Sequence, residues 1–233
     1  MDRLEEIVGS MKTACEEAGV AIVTGDTKVV EKGGADSVFI TTAGVGAVRP
    51  GISLGEKNIR VGDVVIVSGS LGDHEIAVLS GREGFEFLSN IMSDCAPLNR
   101  MIGPVLNASS GVRFMRDLTR GGLAAVLNEV VQRSGLGVLL DEKKIPIHEG
   151  VRGACEILGY DPLSLANEGK VLVIAERKDE EAVLRALRDH PYGRETEVIG
   201  EVIEKPTRVL LTTQVGGTRI VDMPLADQLP RIC

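Results

Sequence analysis

The chain has 233 residues, 26 Lys+Arg against 34 Asp+Glu, and a net charge of −8. With 43 % hydrophobic and 26 % charged residues it reads as an ordinary globular protein rather than a disordered segment. An acidic chain with four Phe, two Tyr and no Trp lacks the residues for phosphate neutralisation and base stacking, which argues against nucleic acid as a partner.

No run of 18 apolar residues is present to span a membrane, and the acidic start MDRLEEIVGSMKTACEEAG is not a signal peptide. The cysteines, at 15, 95, 155 and 233, form no CxxC and have no His at zinc spacing. This usage fits a reducing, cytoplasmic compartment.

Leu4, Ile7, Val8, Met11, Ala14 and Cys15 recur at helical spacing, with Gly19 placed to cap the helix. Three β-rich runs follow, Val20 to Val23, a second through Val30, and Asp36 to Val45. The Gly- and Pro-rich stretch Gly46 to Asn58 is a candidate domain boundary. Asp63 to Val67 reads as a strand, Asp73 to Ser80 as a helix, and Pro97 to Leu106 as a helix with Pro97 near its start. Val112 to Met115 is strand-like. Gly122 to Gln132 is a strong helix with Leu123, Val126, Leu127 and Val130 on one face. Leu136 to Leu140 reads as a strand and Glu149 to Leu158 as a helix. Then come a strand (Lys170 to Ala175), a helix (Asp179 to Leu187), and strands near Glu195 to Ile203, Arg208 to Thr213 and Thr218 to Val221. This alternation predicts a layered α+β or α/β architecture.

Four segments carry chemistry. Thr24-Gly25-Asp26-Thr27-Lys28 sets a carboxylate, a hydroxyl and an ammonium in one turn, a set able to hold Mg²⁺ and phosphate oxygens; a plain hairpin turn accounts for Gly-Asp equally well. Arg116-Asp117-Leu118-Thr119-Arg120-Gly121-Gly122 opens the strong helix, where free N–H groups meet anions and where Asp or Thr could instead cap the helix. Ser68-Gly69-Ser70-Leu71-Gly72-Asp73-His74 is a Gly-rich junction with one of only three histidines. Asp161-Pro162-Leu163-Ser164-Leu165-Ala166-Asn167-Glu168-Gly169 offers Glu168 as a general base, against a reading as turn chemistry alone. The last 11 residues, Met223 to Cys233, contain two prolines and end Pro-Arg-Ile-Cys. An unpacked arm of that length extends ~35 Å at ~3.3 Å per residue. A terminal thiol there gains nothing as a structural cysteine, whereas Cys15, Cys95 and Cys155 read as packing residues.

The order GDTK, SGSLGDHE, RDLTRGG, DPLSLANEG and a final PRIC resembles the HypE family of hydrogenase maturation proteins, the carbamoyl dehydratases of [NiFe]-hydrogenase assembly. That family lies in the superfamily named for aminoimidazole ribonucleotide synthetase. The resemblance covers essentially the whole chain. It implies an α+β, aminoimidazole ribonucleotide synthetase-like fold, with residues 1–50 as the second half of an N-terminal ATP-binding α/β domain. Residues 51–222 would then be a complete C-terminal α/β domain, and 223–233 a flexible tail ending in Cys233. The family has a further segment before the opening helix, so the resemblance implies that this chain alone binds ATP weakly or not at all and does not dehydrate.

The resemblance also implies a mechanism. A carbamoyltransferase partner loads a carbamoyl group onto Cys233, and ATP phosphorylates its amide oxygen. Loss of a proton and of phosphate leaves a thiocyanate, whose cyano group passes to iron on a scaffold complex. Phosphoryl transfer of this kind depends on positioning and charge neutralisation. Asp26 and Asp117 would hold Mg²⁺. Thr27, Lys28, Arg120 and Gly121 would meet ATP, and Glu168 would accept the amide proton. The family is homodimeric. Two other readings stay open, a non-catalytic carrier presenting Cys233 and another ATP-using enzyme of the superfamily.

Overall fold

A computed structural model describes residues 2–35, 37–83 and 90–224. These fall into two units, Met1–Ile52 and Ser53–Cys233.

In the first unit, α1 (Asp2–Ala18) is the helix the apolar spacing predicts. Ile7, Met11, Cys15 and Ala18 form its half-buried stripe, and the Lys12–Glu16 ion pair spans one turn of its exposed side. After Gly19 (φ 66) the expected strands 20–23, through 30, and 36–45 form no ladder among the described residues. Val23, Val29 and Phe39 are 90, 89 and 76 % exposed. β-branched residues favour a pleated surface, but a strand exists only where another backbone pairs with it, and composition does not supply that partner.

The second unit is built on one sheet. Its strands are β1 (Val64–Val67), β2 (Val112–Asp117), β3 (Gly137–Asp141), β4 (Val171–Ala175), β5 (Glu197–Ile203), β6 (Val209–Thr212) and β7 (Thr218–Ile220). The order is β2-β4-β1-β5-β3-β6-β7, antiparallel except for the parallel β3–β6 pair. The helices are α2 (Asp73–Glu83), α3 (Asn99–Ala108), α4 (Gly122–Ser134), α5 (Glu149–Leu158) and α6 (Glu180–Arg188). α3 begins two residues after the expected Pro97 and carries Pro104 inside.

β1 and β4 are buried along their whole length, which explains their unbroken apolar runs. Alternation sends Val65, Val67, Leu172 and Ile174 to one face, against Leu123, Leu127 and Val130 of α4. Val64, Ile66, Val171 and Val173 go to the other, against Met101 and Val105 of α3 and Val183 and Leu187 of α6. Each such fully buried side chain contributes about 1.5–3 kcal/mol relative to exposure. A third, smaller cluster joins Ile76 of α2 to Val151 and Ala154 of α5 and to Leu165. It seats the loop before β4 against the turn after β1.

Candidate functional site

Three of the four predicted segments meet at one end of the sheet, joined by a residue the sequence reading passed over as punctuation. Asn167 is buried to 1 % exposure. Its Oδ1 accepts the Gly72 N–H at 2.8 Å, and its Nδ2 donates to the Leu118 and Leu165 carbonyls at 3.2 and 2.9 Å. Its own N–H donates to Leu118 O at 3.1 Å. Three side-chain hydrogen bonds and one from the backbone N–H tie SGSLGDHE, RDLTRGG and DPLSLANEG into one body. The Ala166 N–H also donates to the buried Glu75 carboxylate at the start of α2.

The RDLTRGG turn follows β2 directly. Leu118 is fully buried, while Asp117 and Arg120 are exposed. Gly121 (φ 66) and Gly122 (φ 56) make the left-handed bend into α4. At Gly122 an added Cβ would strike the Leu165 carbonyl and lie 2.7 Å from that of Leu163, so backbone meets backbone there and only glycine fits. No side chain caps α4. Asp117 and Thr119 therefore do not serve as its cap, and its first turn keeps the electropositive end that accepts an anion.

On the other side of Asn167, the Glu168 N–H donates to Asp94 Oδ1 at 3.0 Å. Lys170 Nζ lies 3.0 Å from Asp94 Oδ2, a charge contact with side chains 12 and 5 % exposed. Glu168 Oε1 is buried and has no hydrogen-bond partner. An orphaned buried carboxylate oxygen is costly unless a donor arrives. Cys95, expected to be a packing residue, is exposed. Partial burial of the thiol first, then the Glu168 and Asp94 carboxylates, push its pKa up. Cys155 is buried as expected, and burial lifts its thiol to about 11.

Two histidines without an assigned role flank this end. His74 Nδ1 sits 2.8 Å from Ser93 Oγ, which also accepts the Cys95 N–H at 3.1 Å. His148 bridges Asp73 (Nδ1 to Oδ1, 2.8 Å) and Glu195 (Nε2 to Oε1, 3.2 Å). Burial alone would lower its pKa, but the two carboxylates outweigh that and raise it.

Thus Asp117, Arg120, Gly121 and Glu168 are gathered in the second unit; Asp117 pairs in register with Val171, three positions past Glu168. Asp26, Thr27 and Lys28 lie in the first unit, all exposed, with the Thr27 N–H donating to Asp26 Oδ1 at 2.9 Å. Cys233 lies outside the described residues. Among the described residues, no three His, Cys, Asp or Glu side chains are grouped to hold a metal, and no helix is long and apolar enough to cross a membrane. The missed features had weak signals. Asn167 and Asp94 look like turn residues, and Asn167 shows its role only through partners distant in sequence.

Residues 1–48 match the family model for the N-terminal domain of AIR synthase related protein, and residues 60–211 that for its C-terminal domain. The chain is 52 % identical to the carbamoyl dehydratase HypE of Cupriavidus necator over 231 residues, 99 % of this chain and 66 % of that one. It spans just under two thirds of that relative's length. The crystal structure of HypE from E. coli superposes with a TM-score of 0.94 at 45 % identity, covering 100 % of this chain and 72 % of that one. A HypE crystallised in complex with ATP gives 0.88 at 39 %, covering 100 % and 71 %. The HypE of a HypE–HypF complex gives 0.85 at 42 %, covering 96 % and 73 %.

Proposed function

The chain belongs to the HypE family of AIR synthase related proteins, and from that premise we propose that it serves in ATP-dependent dehydration of a carbamoyl group carried on Cys233. The observation that carries this reading is the buried, unpartnered Glu168 Oε1, on the loop that Asn167 ties to the turn opening α4, a helix with no side-chain cap. That oxygen has the place and the vacant lone pairs to accept an amide N–H. The α4 turn offers the N–H end that an anionic phosphate group seeks.

The reaction converts S–C(=O)–NH₂ to S–C≡N. ATP supplies the phosphoryl group that makes the amide oxygen a leaving group, and ADP and phosphate are released. Nitrogen loses two protons in all: Glu168 takes one, and the other leaves with the released phosphate. Gly121 and Arg120 of the second unit would meet the phosphates, and Thr27 and Lys28 of the first unit are proposed for the same role. Mg²⁺ is commonly held by only one or two carboxylates plus phosphate oxygens, and Asp117 in the second unit and Asp26 in the first are its proposed ligands. The ATP complex of one relative supports the nucleotide, and the HypE–HypF complex supports a carbamoyltransferase as the partner that loads Cys233. The onward partner is a scaffold complex that takes the cyano group to iron, in the cytoplasm. The family's homodimer is the proposed assembly.

Residues 1–50 would form the second half of the ATP-binding domain, with 51–222 as the second domain and 223–233 as the carrier arm. The loading step is tested with a ¹³C-labelled carbamoyl donor and the carbamoyltransferase. The label should appear on the C-terminal peptide and vanish with Cys233→Ser. Label on Cys15, Cys95 or Cys155 instead would overturn the reading.

A further inference from the structure

The stretch 91–96 lies against the loop that carries Glu168, yet it belongs to no helix or strand. Side chains hold it in place instead. Ile91 packs against the cluster of Ile76, Val151 and Leu165. Ser93 Oγ sits 2.8 Å from His74 Nδ1. Asp94 is the most deeply set, with its side chain 5 % exposed and Oδ1 accepting the Glu168 N–H at 3.0 Å. The two backbones meet as well. A Cβ on Gly169 would strike the Asp94 carbonyl and lie 3.2 Å from Ala96 Cβ.

Asp94 is itself anchored to the sheet. Lys170, the residue before β4, brings Nζ to 3.0 Å from Asp94 Oδ2. Its stem lies over Gly69, where a Cβ would stand 3.1 Å from Lys170 Cε. The next residue, Val171, donates its N–H to Ser68 Oγ at 3.0 Å. A line of contacts thus runs from the buried strand β4 through Lys170 and Asp94 to the backbone of Glu168. Burying an ammonium and a carboxylate is costly, and an apolar pair of similar volume is often as stable. Stability therefore gives a weak reason for this pair. A charged acceptor, however, holds an N–H more tightly than a neutral one.

We propose that Asp94, braced by Lys170, is a positioning residue that fixes the backbone of Glu168 and so aims its Oε1 at the carbamoyl nitrogen. The inference rests on the proposed role of Glu168 as the base. Oε1 has no hydrogen-bond partner of its own, so its aim is set by the backbone that carries it. A misplacement of about 1 Å, caused by a change away from the chemistry, can cost about 10²-fold in rate.

Two neutral pairs separate positioning from charge and stability. Asp94→Asn with Lys170→Met keeps an oxygen for the Glu168 N–H, and Asp94→Leu with Lys170→Met removes it. Both replace the ion pair whole, so neither strands a buried charge. Each is made in the full chain and compared with the parent by amide hydrogen exchange and by intact-mass time courses of Cys233 loading and water loss. In the Leu–Met chain, exchange at residue 168 should rise about tenfold or more, with the rise confined to that loop. Its water loss should slow by about 10–100-fold while loading keeps the parent rate. The Asn–Met chain should keep parental exchange at residue 168 and restore water loss to within about threefold of the parent. Parental exchange in the Leu–Met chain, or parental water loss despite faster exchange, overturns the proposal. Slow water loss in the Asn–Met chain with residue 168 still protected overturns it too. A parent that protects residue 168 and never loses water refutes the dehydration reading instead, and the exchange comparison then decides the positioning by itself.

Discussion

The Asn167 side chain accepts a hydrogen bond from the backbone of Gly72, 95 positions away in sequence, at 2.8 Å. Through this bond and its two donations to Leu118 and Leu165, one buried amide holds three site segments in register. Asn167→Ala removes the side-chain partners of the Gly72 N–H and the Leu165 carbonyl, while the Leu118 carbonyl keeps the backbone N–H of residue 167. Each unsatisfied buried group costs about 1–3 kcal/mol. Chemical denaturation should show a loss of about 2–4 kcal/mol, the sum expected if relaxation recovers part of it. A loss below about 0.5 kcal/mol, the range of an ordinary surface substitution, would contradict the hub role.

Gly122→Ala tests the close approach directly. The position has φ 56, and its Cβ would collide with the Leu165 carbonyl. The turn and the loop must separate, with a cost of more than about 1 kcal/mol from backbone conformation alone. Gly81→Ala, where a Cβ meets nothing within 4 Å inside α2, should instead be neutral or stabilising. Equal melting temperatures for the two variants would refute the contact.

Glu168→Gln keeps the shape of the side chain and removes the base. Loading of Cys233 should proceed at its normal rate, while the loss of water slows by about 10²–10⁴-fold, the usual contribution of a general base. Intact-mass time courses separate the two steps. Unchanged dehydration would remove Glu168 from the proposed role.

His148 gives the protein a pH-dependent element. Its pKa is raised in the fold, because the Asp73 and Glu195 carboxylates outweigh burial. A raised pKa means the protonated form is favoured by folding. The stabilisation is thus fully present below the unfolded value of 6.5 and fades as pH climbs through the raised folded value. The melting-temperature gap between the parent and His148→Gln should be widest near pH 6 and close on the alkaline side. A gap that widens with rising pH would reverse the assignment.

Much of the second unit was legible because its signals are local. In α4, Leu123, Val126, Leu127 and Val130 recur at helical spacing between glycines, and the helix runs Gly122–Ser134. α5 spans Glu149–Leu158 as its periodicity predicts. The unbroken apolar runs of β1 and β4 mark strands covered on both faces. The layered α+β fold follows from that alternation. Strand order did not, since β1 lies between β4 and β5, both more than 100 residues later. Nor did pairing in the first unit, where Val20–Val23 looks like a strand and has no ladder. In the candidate site, Glu168 stands out in the sequence as a carboxylate on a loop, and its role there is a proposal. Asn167 and Asp94 do not stand out, because their roles exist only in contacts made by the finished fold.

The account turns on whether the carbamoyl group on Cys233 loses water when ATP is supplied. Intact-mass spectrometry after incubation with the carbamoyltransferase, its carbamoyl donor and ATP with Mg²⁺ reads this directly. The protein is assayed with a full-length HypE relative as the positive control. It should gain one carbamoyl group at Cys233 and then lose one water only when ATP is present. A carbamoyl group that stays intact with ATP while the control loses water, or one that never reaches Cys233, would contradict the account.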